Sequence, residues 1–245
     1  MTTTGTSVFN LELSDLIEEA AERVGYEIRS GYDFRTARRS LNLLLITLAN
    51  QGINLWTIEQ IEIPLIQNQA TYDLPVDTID LLDSVTRTGT GQNQTDLNIN
   101  RISETTYSTI PNKNATGRPI QVWVNRQSGA TYPTTGVKYP QITVWPTPDQ
   151  GTALSPYYTF VTWRMRRIQD AGNAVNTQDI PFRFVPCMVA VLAYQLSTKL
   201  PDVDMNRIPM LKADYEQQFQ LAADEDREKA SVRFVPRNTF YSGST

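Results

Sequence analysis

The sequence predicts an α+β protein: a helical bundle formed by N- and C-terminal helices, with an inserted antiparallel β-rich domain of sandwich or barrel-like packing. Two observations carry this prediction. Apolar residues recur with helical spacing near both ends of the chain, whereas in the middle they alternate with polar residues between turns rich in Gly and Pro.

The first part of the chain predicts two helices. Residues 13–30 carry an apolar residue at every fourth position, with Ser14 as the expected N-cap and Gly31 as the expected stop. A second apolar stripe predicts a helix over residues 34–50. The connection between them is short, so we expect antiparallel neighbours.

After the second helix the period of the apolar residues changes. Residues 61–65 alternate around Pro64, which favours a strand or an edge strand. Residues 72–75 are typical of a turn, and residues 77–84 of a short helical or extended piece. A helix of one or two turns is expected over residues 103–110.

The β pattern is clearest in the middle of the chain. Residues 120–124, 142–145 and 157–165 all alternate between apolar and polar side chains. Gly and Pro punctuate the segments between them. Strands of this kind are expected to pack as an antiparallel sandwich or barrel.

Helical spacing returns near the end of the chain. Residues 184–196 are apolar nearly all round, which indicates a helix covered on most faces. A last helix is expected over residues 206–230. Its apolar stripe fades after Asp224, so we expect its end to project from the body.

The composition excludes several kinds of chemistry. The 245 residues include 1 Cys and no His, which removes Ser-His-Asp and Cys-His catalysis and the usual zinc sites. Carboxylate chemistry stays open, either as oxygen ligands or as a pair for glycoside hydrolysis. Cys187 lies in an apolar run and is interpreted as a core residue. No cofactor is expected.

Net charge and hydropathy limit the classes of partner that the chain is expected to have. A net charge of −4 disfavours electrostatic binding of nucleic acid by the whole chain. No apolar run reaches the length of a membrane span, and the start of the chain lacks the features of a signal peptide. We therefore expect neither membrane insertion nor secretion.

Two segments are candidate sites. Arg164, Arg166 and Arg167 form the densest basic group, which fits either a strand end paired with carboxylates or a contact with DNA or a neighbouring subunit. The terminal segment 231–245 fits either a disordered tail or a docking segment, because it carries aromatic residues that disordered segments usually lack.

Several stretches together resemble one family, the head-to-tail adaptors (tail accessory or head-completion proteins) of short-tailed bacteriophages. They occur in the same order along most of the chain. The stretches are ARRSLNLLLITLANQGINLW (37–56), YDLP (72–75), IPNKNATGRPIQVWVNRQ (110–127), ITVWPTPD (142–149), IPFRFVPCMVAVLAYQLSTKLP (180–201) and LKADYEQQFQLAADEDREKASVRFVPR (211–237).

The resemblance implies a structural virion protein and not an enzyme. It implies a ring, commonly of twelve copies, that connects the portal vertex of the capsid to the tail tube or nozzle. Viral DNA would pass through the lumen of this ring. The expected location is the head–tail junction of the virion, after assembly in the host cytoplasm. The alternatives are a virion-associated peptidoglycan hydrolase and, third, a DNA-binding module.

The resemblance also assigns roles to segments. The expected division is residues 1–55 and 176–230 as the helical bundle, 56–175 as a β-rich tail-facing domain, and 231–245 as an extended portal-docking tail. The residues expected to anchor this tail are Arg233, Phe234, Val235, Pro236, Arg237, Phe240 and Tyr241. Arg164, Arg166 and Arg167 are candidates for contacts with the DNA channel or between subunits.

Overall fold

The computed structural model describes residues 11–52, 55–131, 138–201 and 203–226. Helices lie towards both ends of the chain and strands fill its middle. The helices are α1 Leu13–Val24, α2 Gly31–Asn50, α3 Glu104–Ser108, α4 Val185–Ser197 and α5 Arg207–Glu225. The strands are β1 Ile58–Leu65, β2 Thr71–Asp73, β3 Thr78–Thr88, β4 Thr95–Asn98, β5 Asn100–Ile102, β6 Gln121–Thr131, β7 Lys138–Trp145 and β8 Tyr158–Arg166. The predicted α+β class is confirmed.

The strands form two four-stranded sheets, with strand orders β1-β8-β3-β4 and β2-β7-β6-β5. All pairings are antiparallel except that of β5 with β6. The first sheet contributes Leu65 and Phe160 to a shared apolar core, and the second contributes Val122 and Ile142. Two sheets that face each other across one core make a sandwich.

The position of β1 explains its proline. Pro64 lies opposite Thr159 of β8, and β1 is an edge strand of its sheet. Proline has no N–H to donate to a neighbouring strand, and an edge strand tolerates it because every second N–H of such a strand points away from the sheet. The interpretation of this segment as a strand or an edge strand is confirmed, although β1 begins three residues earlier than expected, at Ile58.

The helical part is built around α4. Nine of the 13 residues of α4 are buried, because α1, α2 and α5 all pack against it. One apolar core joins the four helices; it includes Leu16, Leu41, Met188, Leu192 and Leu211. The prediction that residues 184–196 form a helix covered on most faces is confirmed.

The first helix begins at residue 13 as predicted, but its predicted end and its predicted N-cap are wrong. The chain leaves α1 at Gly25, whose φ of 84° is left-handed, a conformation that glycine adopts without strain. Gly31 does not stop this helix but begins α2, and Ser30 caps α2 by accepting a hydrogen bond from the Asp33 N–H. Ser14 is inside α1 and donates to the carbonyl of Ala174 instead of capping the helix.

Residues 72–75 differ from expectation: expected as a turn, they begin inside strand β2, which is too short to show a period. Residues 77–84, expected as a short helical or extended piece, are extended and belong mainly to strand β3, which continues to Thr88. The pairing of β3 with β8 shifts register between Leu81 and Ser84, and this irregularity interrupts the alternation that normally identifies a strand.

The last helix also ends earlier than expected. It ends at Glu225, which forms an ion pair with Arg183. The N–H of Leu55 donates to the Asp226 carboxylate at 3.2 Å. The chain was expected to project from the body after Asp224. This expectation is wrong for residues 225 and 226, because the carboxylates of Glu225 and Asp226 both contact the body.

Candidate functional site

The predicted arginine group lies where the sandwich meets the segment that leads to α4. Arg164 is 7% exposed, and its guanidinium donates to Asp77 Oδ1 at 2.6 Å and to Thr78 Oγ1 at 2.8 Å. It also pairs with Glu59 across the β1–β8 ladder. The hydrogen bond from Arg164 lowers the pKa of the Asp77 carboxyl, against the opposing effect of burial.

Arg166 makes the second half of this arrangement. Its two terminal nitrogens hold both carboxylate oxygens of Asp179, at 2.5 and 3.0 Å. Burial acts to raise the pKa of Asp179, but hydrogen bonds from Arg166 and from the Gln169 N–H outweigh it, so the pKa lies below its usual value. We call Glu59, Asp77, Arg164, Arg166 and Asp179 the arginine network.

Asp179 of the arginine network also contacts Trp56, which packs on the helical part. The indole N–H of Trp56 donates to the carbonyl of Asp179 at 3.0 Å, and its ring packs on Phe184 with centroids 4.8 Å apart. Asp179 therefore binds β8 through its side chain and Trp56, two residues before β1, through its backbone carbonyl. Arg166 thus holds the sandwich to the segment that precedes α4, whereas Arg164 ties β8 to β1 and to the start of β3.

Arg167 differs from the other two arginines because it is exposed. It lines an open groove of about 490 Å³, which we call the α2 groove. The residues that give this groove its apolar character are Leu45, Ile46 and Ala49 of α2, Ile79 of β3, and Ile168. Ile46 is 58% exposed and Ile79 is 37% exposed, and a contiguous apolar surface of this kind is typical of an interaction site.

Each ionisable group whose pKa is shifted has a structural cause. Burial raises the pKa of the Cys187 thiol to about 11, so Cys187 is a core residue as predicted. In the described ranges, every carboxyl whose pKa is shifted is lowered, namely Asp77, Asp96 and Asp179, and each of them accepts hydrogen bonds from an arginine. No cluster that could hold a metal ion occurs in the same ranges.

The predicted docking tail follows the last described residue of the chain. Its residues Arg233, Phe234, Val235, Pro236, Arg237, Phe240 and Tyr241 lie outside the described residues. The last described residue, Asp226, lies beside Leu55 and follows Glu225, which pairs with Arg183.

Sequence reasoning missed the α2 groove. Its signal was present, since Leu43 and Ile46 of α2 lie outside the stripe that faces the core and are 53% and 58% exposed. Apolar residues on the outer face of an amphipathic helix indicate a second contact surface. The carboxylate partners of the arginines carried no comparable signal, because Asp77 lies 87 residues before Arg164.

Helices packed on α4, a sandwich between them in the chain, an open apolar groove and charged groups engaged in internal pairs are typical of a structural assembly subunit. The comparison with known families agrees. Residues 11–239 match the family model described as SU10 adaptor protein, so the chain belongs to this family of bacteriophage head-to-tail adaptors. No curated protein gives a significant match to the chain.

Family membership confirms the resemblance found in the sequence. The chain is a structural adaptor protein of a bacteriophage and a component of the virion. The family implies contacts with portal and tail proteins. Among the described helices, none is both long and apolar enough to cross a bilayer.

Proposed function

We propose that about twelve copies of this chain form a closed ring between the portal vertex and the tail, and that viral DNA leaves the capsid through the ring. The observation that carries this proposal is the family match over residues 11–239, which spans the helical part and the sandwich together. The match therefore covers the whole described body and is not limited to the helical part or to the sandwich.

The α2 groove supports lateral packing of subunits. Ring formation buries the same two surfaces on every copy, so apolar residues at those surfaces are protected once the ring closes. Ile46 and Ile79 would be covered in this way. Exposed Arg167 at the rim of the groove is available for an ion pair with a neighbouring subunit or for contact with DNA. Arg164 and Arg166 could take either role only by giving up their present carboxylate partners.

The division of labour along the chain is part of the proposal. The helices of residues 1–55 and 176–230 would form the portal-side layer, and residues 56–175 the tail-side layer that meets the tube or nozzle. Residues 231–245 would reach the portal. Because α5 ends at Glu225 and Asp226 accepts a hydrogen bond from the Leu55 N–H, the chain leaves the described body from that layer.

Electron microscopy of the protein mixed with its portal tests the proposal. We expect rings on the portal for the wild type and for Leu154→Asp, which places a charge at a fully exposed apolar position of the middle region. We expect no closed rings for Ile46→Asp, because the charge would lie in the α2 groove. Deletion of residues 231–245 should weaken docking to the portal.

Assays of the same purified protein distinguish the proposed ring from the two alternative functions. Portal mixtures without rings would contradict the proposal. Clearing of purified cell walls that is abolished by one carboxylate substitution would support a hydrolase. Retention of DNA by the isolated protein that weakens with added salt would support a DNA-binding module.

A further inference from the structure

A second groove lies on the helical part, between α1 and α4, with a volume of about 530 Å³. We call it the α1–α4 groove. Its floor is apolar and is formed by Leu11, Val185 and Pro186. One wall is acidic, because Asp15, Glu18 and Glu22 of α1 line it. It therefore combines an apolar base with negative charge along one side.

Arg23 also lines the groove but is engaged by Glu19 and Asp214, and Asp15, Glu18 and Glu22 form no ion pair with any described residue. Asp15, Glu18 and Glu22 fall on one face of α1, at a spacing of three and then four residues. Glu19 differs from them because it pairs with Arg23, which also reaches Asp214 of α5. Like charges at these spacings repel one another on a helix, so a cationic partner with apolar side chains would be stabilised by this groove.

The last described residue, Asp226, lies at the same end of the helical part as Leu11 and Val185 of this groove. The start of α5 lies at the end of α1, since the guanidinium of Arg207 occupies the space that a Cβ on Gly25 would need. The end of α5 lies near the start of α4, because Glu225 pairs with Arg183. Helix α5 thus runs antiparallel to α1 and α4, and residue 226 is at the end of the bundle where Leu11 and Val185 line the groove.

The following segment has the matching chemistry. Residues 231–245 contain two arginines and no acidic residue, and the two arginines flank an apolar centre in Arg233-Phe234-Val235-Pro236-Arg237. In extended form these five residues would span about 13 Å. The acidic wall from Asp15 to Glu22 spans about 10 Å of helix. The seven residues after Asp226 can reach about 23 Å, enough to bring Arg233 back along the groove.

We propose that, in the free subunit, the Arg233–Arg237 segment of the same chain binds the α1–α4 groove. The arginines pair with the acidic wall, and Phe234 and Val235 cover the apolar floor. This contact does not depend on the proposed function. If residues 231–245 also bind the portal, the two contacts compete, and the portal must displace the segment from the groove before docking is complete.

Disulfide trapping in the full-length chain tests this contact without any portal. The variant carries Pro186→Cys in the groove and Val235→Cys in the segment, with Cys187→Ala to remove the native thiol. We expect an intrachain disulfide that forms at a rate independent of protein concentration, detected as a faster-migrating monomer on a non-reducing gel. Adding Glu18→Lys and Glu22→Lys should slow its formation by about tenfold or more.

A matched control distinguishes the effect of charge in the groove from the effect of the chain's net charge. Asp83→Lys and Glu104→Lys change the total charge equally, at exposed positions far from the groove in sequence, and should leave the trapping rate unchanged. Covalent dimers in place of the intrachain bond would overturn the proposal in favour of a second copy as the occupant. Trapping that is absent, or insensitive to the charge reversals at Glu18 and Glu22, would overturn it as well. A failure here leaves ring formation on the portal unaffected, so the two proposals fail independently.

Discussion

Arg166 and Asp179 form a two-pronged ion pair, with one N–O distance of 2.5 Å and another of 3.0 Å. Both side chains are mostly buried, at 16% and 18% exposed. Paired guanidinium and carboxylate groups of this geometry are among the stronger polar interactions in proteins. The pair fixes the end of β8 to the segment that leads into α4, and it determines how the sandwich meets the helical part.

Asp179→Asn should destabilise the protein by about 2 kcal/mol, because it removes the charge that Arg166 faces and one of its acceptors. Urea unfolding at neutral pH measures this change. Asp170→Asn is the matched control, since Asp170 is exposed, and it should change the free energy of unfolding by less than about 0.5 kcal/mol. Equal effects of the two substitutions would contradict the role assigned to the pair.

Acid should weaken the fold through the arginine network. The pKa values of Asp77 and Asp179 are lowered in the native state, whereas an unfolded chain has Asp pKa values of about 3.9. The unfolded state therefore binds more protons below about pH 4, so the stability that these pairs supply is present above that pH and is lost as the pH falls through the native values.

The variant Asp77→Asn tests this assignment. It should be less stable than the wild type at pH 7, but its free energy of unfolding should fall less steeply below about pH 4. Urea unfolding at a series of pH values gives both quantities. Asp83→Asn, at an exposed position of β3, should retain the slope of the wild type. Identical slopes for Asp77→Asn and the wild type would show that Asp77 is not protonated on unfolding.

Cys187 should be unreactive in the folded protein. Its thiol is 2% exposed, and burial raises its pKa to about 11, so the reactive thiolate is scarce at pH 8. An aromatic disulfide reagent should label it only after addition of urea. Leu154→Cys provides an exposed thiol in the same chain and should react at once. Rapid labelling of the native wild type would contradict the buried position.

Two glycines on either side of the α1–α2 connection should respond in opposite ways. Gly25→Ala should cost about 1 kcal/mol, because φ at this residue is 84° and an alanine is strained there. Gly31→Ala should be neutral or stabilise by up to about 1 kcal/mol, since Gly31 begins α2 and nothing lies within 4 Å of an added Cβ. Thermal unfolding of the two variants compares them directly, and equal melting temperatures would argue against the left-handed turn at Gly25.

The sequence predicted those elements whose signals are local and repeated. The stripe of α2 and the apolar character of α4 specify helices because their residues recur at fixed spacing. Gly25 was misread because a glycine inside a periodic segment leaves the pattern on either side unchanged. Strand β3 was incompletely recognised because its register shift near Leu81 disrupts the alternation.

The candidate surfaces were less predictable for a different reason. The arginine network joins residues from β1, β8 and two loops, and only the folded chain brings Asp77 and Asp179 to the same pair of arginines. The α2 groove depends on Ile79 and Ile168 lying opposite Ile46. Such contacts are set by tertiary packing, which no local pattern contains.

The central position of α4 has a consequence for synthesis of the chain. The apolar faces of Leu13–Val24 and Gly31–Asn50 find their main partner only in Val185–Ser197. During synthesis, the apolar faces of these two helices therefore stay exposed while all eight strands emerge from the ribosome. The sandwich can close its own core during this interval. The helical part is therefore completed late in the synthesis of each subunit.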